Sequence, residues 1–393
     1  MVTPCIFLAM FAAQALFYVF LTVVQGSPVQ PTASSFETIA KQAEEARTAN
    51  RLSEAVKLYS KGVRLRPSWS EGWWSLASVL YEQDRFSEAQ SAFNRFVKLT
   101  SKPGPAYAFL ALCEYESKDY ESALRHFEMW SKNGAPGNDA LIDVAGYHWA
   151  LILTRQGRFQ EALYLLAAKA KKLGGSPDLA EAMGLASLRM TNLPMDYAQE
   201  ERELVWLAGK AAMYAALDDR KRSNEYAARL GARYPQTANV HYFLGTLLGF
   251  QSKTIEAGKQ FEEELKISPD HGPAMTELAM VHLRLFEPKE ALPLAARAVE
   301  LEPKNPRARY ALGKSLLDTD QTAESIPVLV EAERLAPRSA LVRAALANAY
   351  RLMGQREAAK REAAAFLALQ DKEEALDPMP EGKSTTKKPG QRP

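Results

Sequence analysis

Four prolines recur at a constant spacing in the second half of the chain. Pro235, Pro269, Pro303 and Pro337 each lie 34 residues after the one before. A fixed period of roughly 20 to 50 residues is typical of a tandem array, in which each unit is one small motif that packs mainly against its neighbours. This spacing constrains the fold more than any other feature, because such a chain grows by adding units to one continuous core.

Small and apolar residues recur with the same period between the prolines. They are Leu244 and Gly245, Leu278 and Ala279, Leu312 and Gly313, followed by Ala257, Ala291 and Ser325. Two apolar stripes at helical spacing in each period predict two helices, here named helix A and helix B. The small residues mark where the two helices cross closely, and the proline marks where helix B ends, since proline cannot continue a helix.

Residues 70–103 show the fullest version of the pattern. Positions are counted so that the prolines fall at position 32, and this unit then carries Trp73, Leu76, Ala77, Leu80, Ala89, Phe93 and Phe96 at positions 4, 7, 8, 11, 20, 24 and 27. The pattern resembles the tetratricopeptide repeat family, including its exported members in bacteria. The resemblance covers roughly residues 36–373. It implies an all-α, right-handed superhelical solenoid of about nine to ten helix–turn–helix repeats.

The repeat register divides the chain into two blocks. Ala123 and Ala162 are 39 residues apart, five more than one repeat, and the Gly, Pro and Asn content of residues 131–140 predicts that the insertion lies in a loop there. Ala162 and Ser223 are 61 residues apart, seven fewer than two repeats. We therefore predict an N-terminal block at 36–177, an irregular joint at 178–203, and a C-terminal block with a capping helix at 204–376.

The joint is expected to begin with a helix A that is broken near Pro194. Residues 191–198 are predicted to form a loop, and a shortened helix B is predicted to follow that loop. An irregular unit of this kind is expected to make fewer interface contacts than its neighbours. In a one-dimensional stack, the joint would then be the weakest place.

The two ends of the chain differ from the repeats. Residues 1–26 contain no charged side chain, and residues 6–24 are almost wholly apolar. This pattern predicts a signal peptide or an N-terminal membrane anchor, although the missing Lys or Arg before the apolar run also leaves a wrongly assigned start open. Residues 27–35 are predicted to be a linker, and residues 377–393 a disordered basic tail. The expected location is therefore periplasmic or secreted, or tethered to a membrane.

Composition and motifs argue against several classes of function. Without the four basic and two acidic residues of 377–393, the chain has 45 basic and 45 acidic residues, which is not the basic excess of a nucleic-acid-binding protein. The sequence has no glycine-rich phosphate loop, paired-histidine motif or serine elbow, so no cofactor, metal or catalytic residue is predicted. Cys113 is expected to be buried and inert. The histidines also lack metal-ligand spacing: His126, His148, His241, His271 and His282.

Aromatic residues at position 5 are the candidate binding residues. The family resemblance implies that positions 2, 5, 9, 12 and 13 of helix A face a concave groove, and four repeats place an aromatic residue at position 5: Trp74, Tyr147, Tyr242 and Tyr310. These rings would either hold an extended peptide or fill space beside small residues of the next repeat. Lys314 and Asn348 occupy position 9, but the residues at position 5 do not match the family's carboxylate clamp.

The sequence therefore predicts a non-enzymatic scaffold that binds a protein or peptide partner in the concave groove. The alternative is a structural subunit or spacer of a cell-envelope assembly. A third reading is an enzyme whose site lies in the irregular centre. The fold alone does not decide among them, because repeat scaffolds of one architecture serve many functions.

Overall fold

The computed structural model describes residues 34–194 and 196–376. These residues form helices and connecting turns, with no strand among them. The predicted leader at 1–26, most of the 27–35 linker and the tail at 377–393 lie outside the described residues. The chain divides into two compact units, one ending at Arg229 and the other beginning at Leu230. Among the helices described, none is both long and apolar enough to span a membrane.

The described residues of the first unit form ten α-helices and most of an eleventh. Their bounds are α1 Ser34–Thr48, α2 Leu52–Leu65, α3 Ser70–Glu82, α4 Phe86–Leu99, α5 Ala106–Glu116, α6 Tyr120–Lys132, α7 Asp139–Arg155, α8 Phe159–Leu173, α9 Pro177–Ser187, α10 Arg202–Ala216 and α11 Arg220–Arg233. The first eight pair as successive A and B helices: α1 with α2, α3 with α4, α5 with α6, and α7 with α8.

The second unit begins within α11 and contains four helical hairpins. Their helices are α12 Val240–Phe250, α13 Thr254–Ile267, α14 Gly272–Arg284, α15 Pro288–Leu301, α16 Pro306–Asp318, α17 Thr322–Leu335, α18 Ala340–Leu352 and α19 Arg356–Leu376. Each helix B also packs against the helix A that follows it, as α15 does against α16. The predicted all-α stack of two-helix repeats is confirmed.

The turn inside each hairpin places one residue, at position 15, in the left-handed conformation. Asn50, Asp84 and Asp320 have φ angles of 55°, 56° and 65°. Asparagine and aspartate tolerate this region better than other residues with a side chain, so they end helix A at modest cost. Phe286 adopts the same conformation, with φ of 61°, although a bulky residue is disfavoured there.

Small residues allow the two helices of each repeat to cross closely, as predicted. Ala77 and Ala89, at positions 8 and 20, are fully buried. In the repeat that begins at residue 238, a Cβ added to Gly245 would lie 2.6 Å from Cε1 of Phe261. Helices A and B are therefore packed to the limit at this crossing, and any larger side chain would push them apart.

Position 4 does more than fill space in several repeats, where its side chain donates a hydrogen bond to the carbonyl of the proline that precedes the repeat. Trp73 Nε1 donates to the carbonyl oxygen of Pro67 at 2.9 Å. The imidazole of His241 and the guanidinium of Arg309 make the same contact with Pro235 and Pro303, also at 2.9 Å. Since a carbonyl after the end of helix B has no partner in that helix, these side chains satisfy it.

The insertion before α7 extends that helix rather than the loop alone. Residues 131–140 were predicted to be a loop, but α6 continues to Lys132 and α7 begins at Asp139. The side chain of Asn138 caps the new first turn by accepting from the Leu141 N–H at 2.8 Å, and the Leu141 side chain is buried. Part of the insertion is helical because it has both a capping residue and an apolar residue to bury.

The irregular joint lacks the predicted shortened helix B. Between α9 and α10, the described residues form only a three-residue 3₁₀ helix, Gln199–Glu201. Helix α10 instead packs directly on α9. A Cβ added to Gly209 would lie 1.8 Å from the Ala180 carbonyl oxygen, and one added to Gly184 would lie 2.1 Å from the Val205 oxygen. The prediction of a sparsely packed joint is therefore wrong at α9 and α10, where the two backbones nearly touch.

An ion-pair network joins the last three helices. The guanidinium of Arg343 on α18 lies within ion-pair distance of Glu333 on α17 and, at 2.6 Å, of Glu362 on α19. Glu362 is buried, so the contact compensates for the desolvation of its carboxylate. The hairpin of α18 and α19 is thereby fixed to the repeat before it.

Candidate binding surface

The structure places Trp74 inside an aromatic cluster. Its ring centroid lies 5.5 Å from that of Phe93, 5.3 Å from that of Phe96 and 5.8 Å from that of Phe109. The first two rings are on α4 of the same repeat, and Phe109 is on α5 of the next. Trp74 is half-buried, so its main contacts are within the stack.

Tyr242 is the most buried of the four candidates, with 8% of its surface exposed. Its ring packs against those of Phe261 and His271, at centroid distances of 6.0 and 5.0 Å. Its backbone N–H donates to the buried carboxylate of Glu264 at 3.1 Å, and the Asn239 N–H donates to the same group at 2.8 Å. Glu264 stands at position 27, where the family prefers alanine, and it caps the beginning of α12.

Tyr147 and Tyr310 are half-buried and keep part of their rings exposed. The Tyr147 hydroxyl donates to the Asp178 carbonyl oxygen on the next helix A, at 3.5 Å. Tyr310 packs against apolar residues of the repeats on both sides, including Met280 and Leu346. Burial raises the pKa of both phenols, so each remains a neutral hydrogen-bonding group at ordinary pH.

Within each unit, the candidate aromatic residues lie in repeats that are not adjacent. Trp74 and Tyr147 lie in the first unit and Tyr242 and Tyr310 in the second, and within each unit a full repeat separates the two. Position 5 of the intervening repeats is occupied by the buried Ala108 and Thr276, respectively. The alternation of large and small residues therefore serves packing, and contact of the rings with a partner stays a prediction.

Position 9 of helix A is covered in some repeats and open in others. Three residues of the first unit and one of the second are buried there: Ser78, Leu112, Leu151 and Met280. Glu44 of the first repeat is exposed, and Lys314 and Asn348 of the last two repeats are partly exposed. In the last two repeats, the position 9 side chains are therefore partly accessible to a partner.

The second unit also has exposed apolar side chains at positions 2 and 13 of helix A. We define the second-unit A face as Phe250, Tyr310, Lys314, Leu341, Asn348 and Leu352, at positions 13, 5, 9, 2, 9 and 13 of their repeats. Phe250 is 81% exposed and Leu341 53% exposed. Reasoning from position 5 alone missed both, although apolar residues at positions 2 and 13 were visible in the sequence.

Charges next to the second-unit A face are largely neutralised within the protein. Arg307 donates twice to the Glu277 carboxylate, at 2.6 and 2.8 Å, and Lys314 pairs with Asp318 on the same helix. The face therefore presents apolar groups and hydrogen-bonding groups with little net charge. Such a surface suits an extended segment with apolar side chains better than a highly charged one.

The polar groups inside the repeats have structural partners. The His126 imidazole lies 2.7 Å from the Glu114 carboxylate, which is buried and also accepts from Gln90 at 3.0 Å. Cys113 is fully buried, and burial raises the pKa of its thiol, which suppresses the reactive thiolate. Among the residues that the structure describes, no group of three or more potential metal ligands is found.

Comparison with known proteins finds similarity to repeat proteins. The family model described as tetratricopeptide repeat matches residues 40–104, 75–138 and 276–340. No curated protein matches the chain. Three similar solved structures can be compared. MamA 41-end from Desulfovibrio magneticus RS-1 is 20% identical, over 44% of this chain and 97% of that chain, with a TM-score of 0.37. YrrB, described as a TPR protein with an unusual peptide-binding site, is 22% identical over 44% and 90%, with a TM-score of 0.38. Another MamA protein is 15% identical over 46% and 98%, with a TM-score of 0.38.

Proposed function

Because the chain is a tetratricopeptide repeat protein, we propose that it is a non-enzymatic scaffold that binds an extended segment of a partner protein on the second-unit A face. Repeats of this family generally act as protein-interaction scaffolds. Their helices supply a rigid surface, so little conformational entropy of the scaffold is lost on binding. The partner's identity does not follow from the fold.

The observation that carries the proposal is the exposure of two apolar side chains, Phe250 and Leu341. Partly exposed polar groups accompany them at Lys314, in a repeat between theirs, and at Asn348, in the repeat of Leu341. Large apolar side chains left in water gain most when a partner covers them. The polar groups can pair with the backbone of an extended segment. Apolar anchors combined with a few hydrogen bonds are typical of peptide recognition.

A displayed library of random peptides, selected on the purified full chain, tests the proposal. The variant Leu341→Ser is expected to weaken the selected peptides by about tenfold, since truncating one anchor typically costs 1–2 kcal/mol or more. Leu65→Ser is the matched control, because Leu65 is 54% exposed but lies on α2 of the first unit. It is expected to change the affinity by less than about twofold.

A loss of binding in the control variants would favour the alternative, in which the protein is a structural subunit or spacer. A subunit of a larger assembly would depend on its end helices or its B helices, where Tyr164 on α8 is 77% exposed. If no peptide binds the wild-type chain, or if Leu65→Ser and Tyr164→Ala weaken binding as much as Leu341→Ser does, the proposed face is wrong.

We further propose that the repeats function outside the cytoplasm. The uncharged, apolar stretch at 6–24 supports this proposal, and both leading readings of that stretch place the repeats beyond a membrane. An alkaline phosphatase fusion to the end of the chain, expressed in bacteria, should be active. An inactive fusion would contradict export.

A further inference from the structure

Helix α10 exposes a face that other repeats bury. Position 3 of helix A is small and buried in the other repeats from residue 70 onward: Gly72, Ala106, Ala145, Val240, Ala274, Ala308 and Val342. In α10 this position is Trp206, which is 41% exposed. Position 7, which is leucine or tryptophan in the same repeats, is Lys210 in α10.

The missing helix B explains the open face. In regular repeats, position 3 packs against helix B of the repeat before, as Ala308 does against Ala298 and Val299 of α15. The joint before α10 has no such helix among its described residues, only the 3₁₀ helix Gln199–Glu201. No preceding helix B of the joint therefore covers Trp206 and Lys210. These two positions hold an aromatic and a cationic residue, where the other repeats have small and apolar residues.

Helix α11 completes the surface with further rings and cations. We define the α10–α11 aromatic face as Trp206, Lys210, Tyr214, Arg222, Tyr226 and Arg229. The Tyr226 ring packs edge-on against Trp206 at 5.3 Å and stacks on Tyr214 at 5.6 Å, measured between centroids. The three rings form a continuous floor along both helices.

Three cations lie over this aromatic floor. The guanidinium carbon of Arg222 is 4.2 Å from the Tyr214 centroid, and that of Arg229 is 5.5 Å from the Tyr226 centroid. Lys210 Nζ lies 5.9 Å from the centroids of both Trp206 and Tyr214. The ring faces hold these groups by cation–π attraction, which fixes cations that would otherwise move freely in water.

Two of the three cations have no ion-pair partner among the described residues. Arg222 pairs with Asp219 at 2.6 Å. Among the described residues, no carboxylate lies within ion-pair distance of Lys210 or Arg229. Residues 1–33 contain no Asp or Glu, and residues 377–393 carry four basic and two acidic side chains. Neither terminal segment therefore has the charge to cover this surface.

We propose that the α10–α11 aromatic face binds an acidic segment of a partner protein. Carboxylates match the fixed guanidinium and ammonium groups, and the rings favour close approach by excluding water from those pairs. Stacking of nucleic-acid bases fits less well, because cations already occupy the faces of the rings. This surface is distinct from the second-unit A face, and its binding does not depend on the function proposed for that face.

Fluorescence anisotropy with a labelled oligoglutamate peptide and the full chain tests the proposal. The double variant Lys210→Gln with Arg229→Gln is expected to weaken binding at least about tenfold, and Trp206→Ala to weaken it several-fold. Raising the salt concentration should weaken wild-type binding. The matched control removes two exposed lysines of α2, Lys57→Gln with Lys61→Gln, and should leave the affinity unchanged. Circular dichroism checks that each variant is folded.

Three results would overturn the proposal. The first is equal binding of oligoglutamate and a neutral peptide by the wild-type chain. The second is equal loss in the α2 control, which would mean attraction to any surface cation. The third is tighter binding of single-stranded oligothymidylate than of oligoglutamate, lost in the same variants, which would assign the face to nucleic acid instead.

Discussion

Single residues in this chain carry polar roles that an apolar repeat pattern conceals. Glu264 and Glu362 are buried carboxylates, and specific hydrogen-bond donors stabilise each of them. Two backbone N–H groups donate to Glu264, and the Arg343 guanidinium donates to Glu362. Removing the donors of such a group costs more than the hydrogen bonds themselves contribute. These residues therefore specify the geometry of their repeats.

His148 provides a prediction about pH. Its half-buried ring lies edge-on to Tyr115 at 4.7 Å, and its Nδ1 lies 2.9 Å from the Val144 carbonyl oxygen. Burial lowers the pKa of the imidazole from its ordinary value of 6.5. The unfolded chain then binds more protons than the folded one, so this group should reduce stability as the pH falls through about 6.5.

We expect His148→Asn, which keeps a donor near Nδ1 and cannot titrate, to lose less stability than the wild type between about pH 7 and pH 5. Thermal unfolding midpoints at the two pH values measure the difference. Identical shifts in both proteins would show that the His148 proton does not contribute.

Among the helices, α9 and α10 depart most from the repeat pattern. Among the described residues, no helix B follows α9, so α10 packs directly on α9. On its other side α10 pairs with α11, where Ser223 Oγ donates to the Ala211 carbonyl oxygen at 2.9 Å. The close approach of α9 and α10 depends on Gly184 and Gly209, since neither backbone has room for a side chain there.

A matched pair of glycine substitutions tests this packing. Gly209→Ala should destabilise the first unit by about 1–3 kcal/mol or more, because the added methyl group overlaps the Ala180 carbonyl. Gly146→Ala in α7, where a Cβ meets nothing within 4 Å, should instead stabilise by about 0.5–1 kcal/mol. Urea unfolding measures both. A neutral Gly209→Ala would mean that α9 and α10 lie farther apart than described.

The regular repeats and the places of the two exceptions could be predicted from the sequence, but the structures of the exceptions could not. Proline and alanine spacing identifies the hairpins because regular repeats bury the same positions, as Ala77 and Ala89 show. The extra turn of α7 was missed because Asn138 and Leu141 stabilise it locally, outside the repeat register. The absence of a helix B between α9 and α10, among the described residues, was not predicted either. A deficit of seven residues does not show which element of the repeat is missing.

The exposure of the candidate binding residues was predicted less well than the fold. Position 5 was chosen for its aromatic residues, yet the Tyr242 ring is buried and packs mainly against neighbouring side chains. Exposure depends on how closely neighbouring repeats approach, and that distance is set by residues such as Gly209 rather than by the position itself. The exposed Phe250 and Trp206 therefore emerged only from the three-dimensional structure.

At the scale of the whole molecule, limited proteolysis tests the predicted division into blocks. Cleavage is expected first in the loop at 191–198, where Thr191, Asp196 and Ala198 are exposed. The cut should leave a stable C-terminal fragment. Because α9 and α10 remain packed, we expect the two fragments to elute together in gel filtration. First cuts near Pro269 or Pro303, with residues 191–203 protected, would contradict the two-block division.

N-terminal sequencing of the native protein tests the predicted leader. A cleaved signal should give a mature chain that begins after Gly26, because small residues at Val24 and Gly26 end the apolar stretch. A terminus at Met1 or Val2 would instead support an uncleaved anchor.

Photo-cross-linking tests the central claim, that a partner segment lies on the second-unit A face. Ala344 is exposed at position 5 of the last repeat and can be replaced by a benzophenone-bearing phenylalanine. Tyr164 on α8, 77% exposed, is the control position. With a peptide selected on the wild-type chain, we predict cross-links from position 344 and none from position 164. Cross-links from position 164 alone, or from neither position, would contradict the account.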